Sequence, residues 1–191
     1  WAAYFNALGF RVVLSDPTNK KLIREGLEAI VTETCFPIKV AHGHVLNLLH
    51  KNIKTIFFPS LINFKQLQPN ITQSFACPYV QSSPYIIQSA IDLKQQGIEF
   101  IHIPLFMAHH PSQLEKELLS LALRLKRTKT EHHQAFSIAF QAQKFFNETL
   151  RQRGKQILSQ LDPQEKAFVI VSRAYNGCDP GINLRIPLKL R

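Results

Sequence analysis

Two short apolar runs that each stop at a proline constrain this chain more than any other feature. Thr55-Ile56-Phe57-Phe58 ends on Pro59, and Glu99-Phe100-Ile101-His102-Ile103 ends on Pro104. Runs of about five residues without polar alternation belong to strands buried on both faces, the condition of a parallel sheet. Two further runs, Phe10 to Leu14 and Ala167 to Ser172, read the same way. Helical patterns separate them, so the expectation is an α/β fold: a parallel sheet with helices on both faces, in three layers. Ligands of such sheets lie outside the carboxyl ends of the strands. The loops after Phe58, Ile103 and Ser172 should therefore share one edge.

The helices are marked by their ends. Residues 1–8 read as the tail of a helix with Trp1, Phe5 and Leu8 on one face, closed by Gly9. Asp16-Pro17-Thr18-Asn19 is a turn that opens a helix over Lys20 to Ala29. Thr34-Cys35-Phe36-Pro37 opens the next, with Thr34 as cap and a first-turn proline, and it should bury Val40, Val45, Leu48 and Leu49 by Lys51. Residues 60–82 read as a long irregular connection, of the kind that in a compact domain is functional or disordered. Helices are expected from Pro84 to Gln96, from Pro111 to Lys126, and from Glu131 to Leu161 with a break near Gly154. The last should turn Ala135, Ala139, Ala142 and Phe146 inward. Residues 173–187 read as a loop with three turn signals.

Composition narrows the class. With 191 residues, 45% of them hydrophobic and 14 of them Phe, the chain has enough apolar surface for a core, and it reads as one domain over 1–191. No apolar stretch approaches the roughly 18 residues of a membrane span, and no signal peptide is visible. Trp1 at one end and Lys189-Leu190-Arg191 at the other suggest a piece of a longer polypeptide. Lys and Arg exceed Asp and Glu by 23 to 13, a net charge of +10. Such charge attracts nucleic acid, anionic lipid or phosphorylated small molecules. These basic residues are dispersed, however, and the densest run, Arg124, Lys126, Arg127 and Lys129, looks like a helix end where cations offset the macrodipole. Neither a nucleic-acid nor a membrane partner is indicated. Three cysteines without CxxC spacing argue against a disulfide scaffold or a self-contained zinc site, and point to a reducing, cytoplasmic compartment.

Two cysteines carry the candidate chemistry. Cys35 lies at a helix start, where free amides and the dipole favour a thiolate, with the positive charge of Lys39 one turn on. Cys77 lies in Phe75-Ala76-Cys77-Pro78-Tyr79. Each is closely followed by proline, which stiffens the backbone and removes an amide donor near sulfur. The bland alternative is a pair of small buried hydrophobes, and a reversible disulfide between them is a third reading. Cys178, within Tyr175-Asn176-Gly177-Cys178-Asp179-Pro180-Gly181, is explained by its turn. His42 and His44 are two apart and so face different ways on a helix, unlike helical zinc pairs. The adjacent pairs His109-His110 and His132-His133 lack an acidic ligand pattern, and surface or capping roles are expected of the histidines. No phosphate-loop motif and no GxSxG occurs.

Three stretches together carry a family resemblance. Thr32-Glu33-Thr34-Cys35-Phe36-Pro37-Ile38-Lys39-Val40-Ala41-His42-Gly43-His44-Val45, Ala76-Cys77-Pro78-Tyr79-Val80-Gln81 and Ser172-Arg173-Ala174-Tyr175-Asn176-Gly177-Cys178-Asp179-Pro180-Gly181-Ile182-Asn183-Leu184 occur in the order found in one family. They resemble the 2-hydroxyacyl-CoA dehydratase and CoA-substrate-specific enzyme activase superfamily, and Trp1 to Ser15 is similar to its opening segment. The resemblance is closest to the domain that follows the ATPase modules of the activases. It implies Rossmann-like units and a [4Fe-4S] cluster with Cys35 and Cys77 among its ligands. It also implies electrons delivered by ATP-hydrolysing activase modules toward a CoA thioester. The family's third cysteine usually lies in a C-G-P-D-S-F type segment that this sequence lacks, and Cys178 falls where relatives carry another residue. The implied site is therefore incomplete here, with Lys39 as a supporting group and Asn176, Asp179 and Asn183 either supporting groups behind the ligands or formers of their own turn. This segment alone is not expected to be catalytic. The rival is a structural or protein-interaction domain with no cluster.

Overall fold

A computed structural model of the chain describes residues 1–65, 70, 73–162, 164 and 166–190. They form two compact units, Trp1–Val12 with Pro111–Val169, and Val13–His110 with Ile170–Arg191. The first holds helices α1 (Ala2–Ala7), α5 (Pro111–Arg124) and α6 (Lys129–Ser159). The second holds α2 (Lys20–Ala29), α3 (Phe36–Leu49), β1 (Thr55–Phe57), β2 (Ser60–Asn63), α4 (Pro78–Ala90), β3 (Glu99–Ile101), β4 (Pro104–Phe106), α7 (Ala174–Gly177) and α8 (Ile186–Lys189).

In the second unit the proline-ended runs pair in parallel, as their unbroken hydrophobicity requires. β1 lies on β3 with Ile56 opposite Phe100, and β2 lies on β4 with Leu61 opposite Leu105. Pro59 and Pro104 lack an N–H and split each ribbon into two short strands. The ladder still passes the break through Phe58 N–H to the Ile101 carbonyl and Ser60 N–H to the Ile103 carbonyl, both at 2.9 Å. Ile56 packs with Val45 of α3 and with Ile87, Ile91 and Leu93 from and beyond α4, so one core joins strands and helices. α2 crosses α3 closely at Gly26 and Gly43.

Several boundaries differ from expectation. α4 begins at Cys77, its N-cap, not at Pro84, which is buried within it. Pro84 cannot donate to the Val80 carbonyl, and the Ser83 hydroxyl donates to that carbonyl instead at 2.8 Å. The connection read over 60–82 thus contains β2 and the first turn of α4, while its residues 66–69, 71 and 72 lie outside the described set. α3 is capped at Cys35, not Thr34, whose buried Oγ1 has no partner. Phe10 to Leu14 forms no strand, because Phe10 turns its ring to Phe5 and to the Arg127 guanidinium 4.5 Å from its centroid. Residues 167–171 are also in no strand. Phe168 is 71% and Val171 92% exposed, and a strand needs a neighbour to satisfy its backbone. The α/β class holds, with the sheet reduced to two parallel pairs.

The first unit is helical. Thr128 and Glu131 close a reciprocal capping box at the start of α6. Tyr4 and Leu8 of the α1 region pack on Ala135, with Phe5, Phe10, Phe136 and Ala139 around them. His132 is buried, against the expectation of surface histidines, because Tyr4 Oη donates to its Nδ1 at 2.8 Å and its Nε2 donates to the Glu115 carbonyl at 2.9 Å. The run expected to break near Gly154 is one unbroken helix, and the space where a Cβ would sit there is open. Gly154→Ala should therefore stabilise this unit by about 0.5–1 kcal/mol, read as a higher urea midpoint with unchanged slope. Among the described residues, no helix is long and apolar enough to cross a membrane.

Candidate functional site

Cys35 and Cys77 take the same local position. Each is the N-cap of a helix with proline at its first or second position, α3 and α4, and neither is engaged as a side-chain cap. Their carbonyls accept the first-turn amides, Ile38 and Lys39 N–H on Cys35, Val80 and Gln81 N–H on Cys77. Both thiols are free, Cys35 exposed and Cys77 half-buried. The helices are neighbours, and each leads directly into one of two parallel strands, α3 into β1 and α4 into β3. Both pack their carboxyl halves on the core around Ile56. A helix that leads into a strand of a parallel sheet runs antiparallel to it, and in that topology its N-terminus belongs to the carboxyl edge of the strands. Cys77 follows Ala76, whose N–H donates to the Ile62 carbonyl of β2 at 2.8 Å, and Ser60 Oγ donates to the Gln81 carbonyl.

The charge expected beside Cys35 is already engaged. Lys39 Nζ lies 2.7 Å from Glu33 Oε2, with the Lys39 side chain largely covered. Among the described residues, no group of three or more His, Cys, Asp or Glu side chains is placed to hold a metal ion. The sulfurs of Cys35 and Cys77 are soft donors, of the type that iron–sulfur or other thiophilic centres take.

A second cluster of the same unit was not singled out by sequence. Ser15 Oγ lies 2.7 Å from His44 Nδ1, His44 Nε2 lies 3.1 Å from Thr18 Oγ1, and Thr18 Oγ1 donates to Asp179 Oδ2 at 2.6 Å. Since the single Thr18 proton goes to Asp179, His44 Nε2 must donate to Thr18, and Nδ1 accepts from Ser15. The chain thus runs one way, from the Ser15 hydroxyl to the Asp179 carboxylate. Burial holds His44 below the ordinary imidazole range, while the Asp179 carboxylate pulls the other way. One turn along α3 the Asp16 amide donates to Asn47 Oδ1, and Lys51 donates to Asp16 and to the Leu14 carbonyl. Lys51 and Asn47 hold the exposed Asp16 carboxyl below its usual range.

The expected supporting groups divide between local and long-range roles. Asp179 also accepts from the Gly181 and Ile182 amides through Oδ1, so its turn and its tie to Thr18 use different oxygens. Asn183 Nδ2 donates to the Gly177 carbonyl at 3.3 Å, a contact within its own loop. Asn176 N–H caps back on Arg173, and Cys178 is exposed. His42 faces away from His44, fully buried, with Nδ1 donating to the Ile38 carbonyl and Nε2 without a partner. The sequence signal for the second cluster is the polar stripe His44, Asn47 and Lys51, at i, i+3 and i+7 on α3.

No curated protein and no solved structure matches the chain significantly. The family model of the CoA enzyme activase uncharacterised domain does match, over residues 1–191. That span includes both cysteine-capped helices and the segment that meets Thr18, and the chain belongs to this CoA enzyme activase domain family.

Proposed function

We propose that this domain supplies Cys35 and Cys77 to a [4Fe-4S] centre and takes part in ATP-driven electron transfer within a CoA enzyme activase. The observation that carries this reading is the paired placement of two free cysteines, each starting one of two neighbouring helices that lead into parallel strands. The sulfur chemistry fits a cluster; the number of donors means that its remaining ligands come from other polypeptide. When bound, such a cluster supplies one-electron chemistry at a potential set by nearby hydrogen bonds and exposure. This chain's part is to present the sulfurs. Pro37 and Pro78 stiffen the two turns, and the first-turn amides of Phe36 and Tyr79 are available to a thiolate. The electron donor is the ATPase part of the activase, the acceptor a CoA thioester, and the setting the cytoplasm. The two parallel pairs are then the centre of a Rossmann-like, three-layer arrangement.

A second reading, an interaction domain without a cluster, is favoured by α6, whose residues from Phe140 to Ser159 are all exposed and include Phe145, Phe146 and Leu150. Anaerobic reconstitution with iron and sulfide separates the two. The wild-type protein should retain iron through gel filtration and give an EPR signal on reduction, and Cys35→Ser/Cys77→Ser should retain several-fold less. Equal iron in both proteins removes the cysteines from the role and leaves the interaction domain.

A further inference from the structure

We infer that Ser15 is a nucleophile with His44 as its base, and that the pair accepts an acyl group from a thioester or an activated ester. Neither candidate cysteine takes part. Ser15 Oγ donates to His44 Nδ1 at 2.7 Å, His44 Nε2 donates to Thr18 Oγ1 at 3.1 Å, and Thr18 donates to Asp179 Oδ2 at 2.6 Å. A hydroxyl on an imidazole whose far nitrogen is held by a third group is the arrangement that activates a serine. Here a threonine hydroxyl stands between ring and carboxylate and passes the orientation on. The direction of the chain leaves the Nδ1 lone pair facing Ser15, and burial favours that neutral ring. Asp179 is itself fixed, because its other oxygen accepts from the Gly181 and Ile182 amides.

Ser15 is also presented to a substrate. It is half-buried in a turn whose flanking residues Leu14 and Asp16 are exposed. Its own N–H is bonded to no acceptor among the described residues, whereas the Asp16 N–H is taken by Asn47. The nucleophile's amide is one of the donors that hold the oxyanion in acyl transfer. The carbonyl of that same peptide, Leu14, accepts from Lys51 Nζ at 2.8 Å, and a cation there polarises the peptide and strengthens its N–H as a donor. In the reaction Ser15 Oγ bonds to the acyl carbon and its proton passes to His44 Nδ1. The imidazolium keeps its Nε2–H on Thr18, with the Asp179 charge behind it. As the carbonyl re-forms, the bond to the leaving sulfur or oxygen breaks and the Nδ1 proton follows the leaving group. The products are an ester on Ser15 and a free thiol or alcohol. With one such N–H in place of the usual pair, the site suits acyl groups with a good leaving group, such as a thiol of pKa about 8.5, over amides.

Acetylation of the whole chain by p-nitrophenyl acetate and by phenyl thioacetate, followed by peptide mass mapping, tests this. Mapping separates Ser15 from Lys51 and from the free thiols of Cys35, Cys77 and Cys178. In the wild type Ser15 should acetylate at least about tenfold faster than the exposed Ser89 and Ser159, and urea should abolish the difference. His44→Gln should slow Ser15 by about 10²-fold or more, the lower end for loss of a general base. Thr18→Val keeps nucleophile and base but removes the acceptor of Nε2, so it should slow Ser15 several-fold, and Thr18→Ser should restore the rate. Ser15 labelled no faster than Ser89 overturns the proposal, as does a His44→Gln rate equal to wild type. A Thr18→Val rate equal to wild type overturns the positioning role of Thr18 and Asp179. If His44→Gln does not fold, the comparison of Ser15 with Ser89 and Ser159 in native and urea-unfolded wild type decides.

Discussion

Gly43→Ala should cost the second unit at least about 3 kcal/mol, the upper end for forced overpacking, and lower its urea midpoint accordingly. A Cβ on Gly43 would fall 2.0 Å from the Leu22 carbonyl oxygen and 2.9 Å from the Leu22 carbonyl carbon. Gly26 mirrors it, its Cβ position lying 2.4 Å from the Lys39 carbonyl oxygen and 2.9 Å from the Gly43 nitrogen. The obstacles are backbone atoms of the facing helix, which cannot swing aside as a side-chain tip does, so relief requires α2 and α3 to separate. Separation would open the buried faces of Leu22 and Val40, both at 1% exposure or less. An exposed helical glycine behaves oppositely, as at Gly154, because alanine has the better helix propensity by about 1 kcal/mol. Because both substitutions force the same crossing apart, Gly26→Ala/Gly43→Ala should cost less than the sum of the two. A Gly43→Ala midpoint equal to wild type would mean that the helices do not cross this closely.

Separation matters beyond stability. α3 carries Cys35 at its start, His44 at its middle and Lys51 just beyond its end, so the same helix bears a candidate cysteine and the hydrogen-bonded chain that reaches Asp179. The polar stripe that grips the 14–18 turn and the glycine face that receives α2 are different sides of one fourteen-residue helix. Loss of the α2 crossing should therefore loosen residues 14–18 as well, since α2 begins at Asn19, whose side chain accepts from Leu22 N–H.

How far the sequence foretold this depends on the range of the deciding interaction. A helix start was legible where the capping residue and its partner are three apart, as at Asn19 with Leu22, while the Thr128–Glu131 box of the same spacing sets the start of α6 two residues ahead of the expected Glu131. Proline-ended strands were legible because hydrophobicity without alternation demands cover on both faces. The start of α4 was hidden because Pro84 is normally a stop signal, and only the Ser83 hydroxyl on Val80 makes it tolerable. Residues 10–14 and 167–171 have strand composition, yet one pairs its aromatic ring with helices and the other meets no described strand. At the candidate site, Cys35 was legible at a helix start, whereas Cys77 reads in sequence as a loop residue and is instead the N-cap of α4. The hydrogen-bonded chain was not legible, because its partners are 26, 29 and 161 residues apart and nothing local selects them.

Tyr4→Ala should cost the first unit about 3–5 kcal/mol, the range for emptying a buried aromatic site. Tyr4 is 1% exposed, stands edge-on to Phe5 and His132 with ring centroids 5.3 and 5.9 Å away, and anchors α1 on α6. Its hydroxyl has a separate effect that Tyr4→Phe isolates. Without it, His132 Nδ1 stays buried with no donor, a loss of about 1–3 kcal/mol. The two contributions are distinguished by alkaline titration. Burial pushes the Tyr4 phenol up to about 12, whereas the unfolded side chain ionises near 10. The folded state therefore holds its proton over that interval while the unfolded state gives it up, and wild-type stability should fall steadily as pH rises from about 10 to 12. Tyr4→Phe removes that group, so its stability, lower at neutral pH, should decline less steeply over the same interval and approach that of wild type. Parallel declines in wild type and Tyr4→Phe would show that the phenol is not the group whose proton the fold retains.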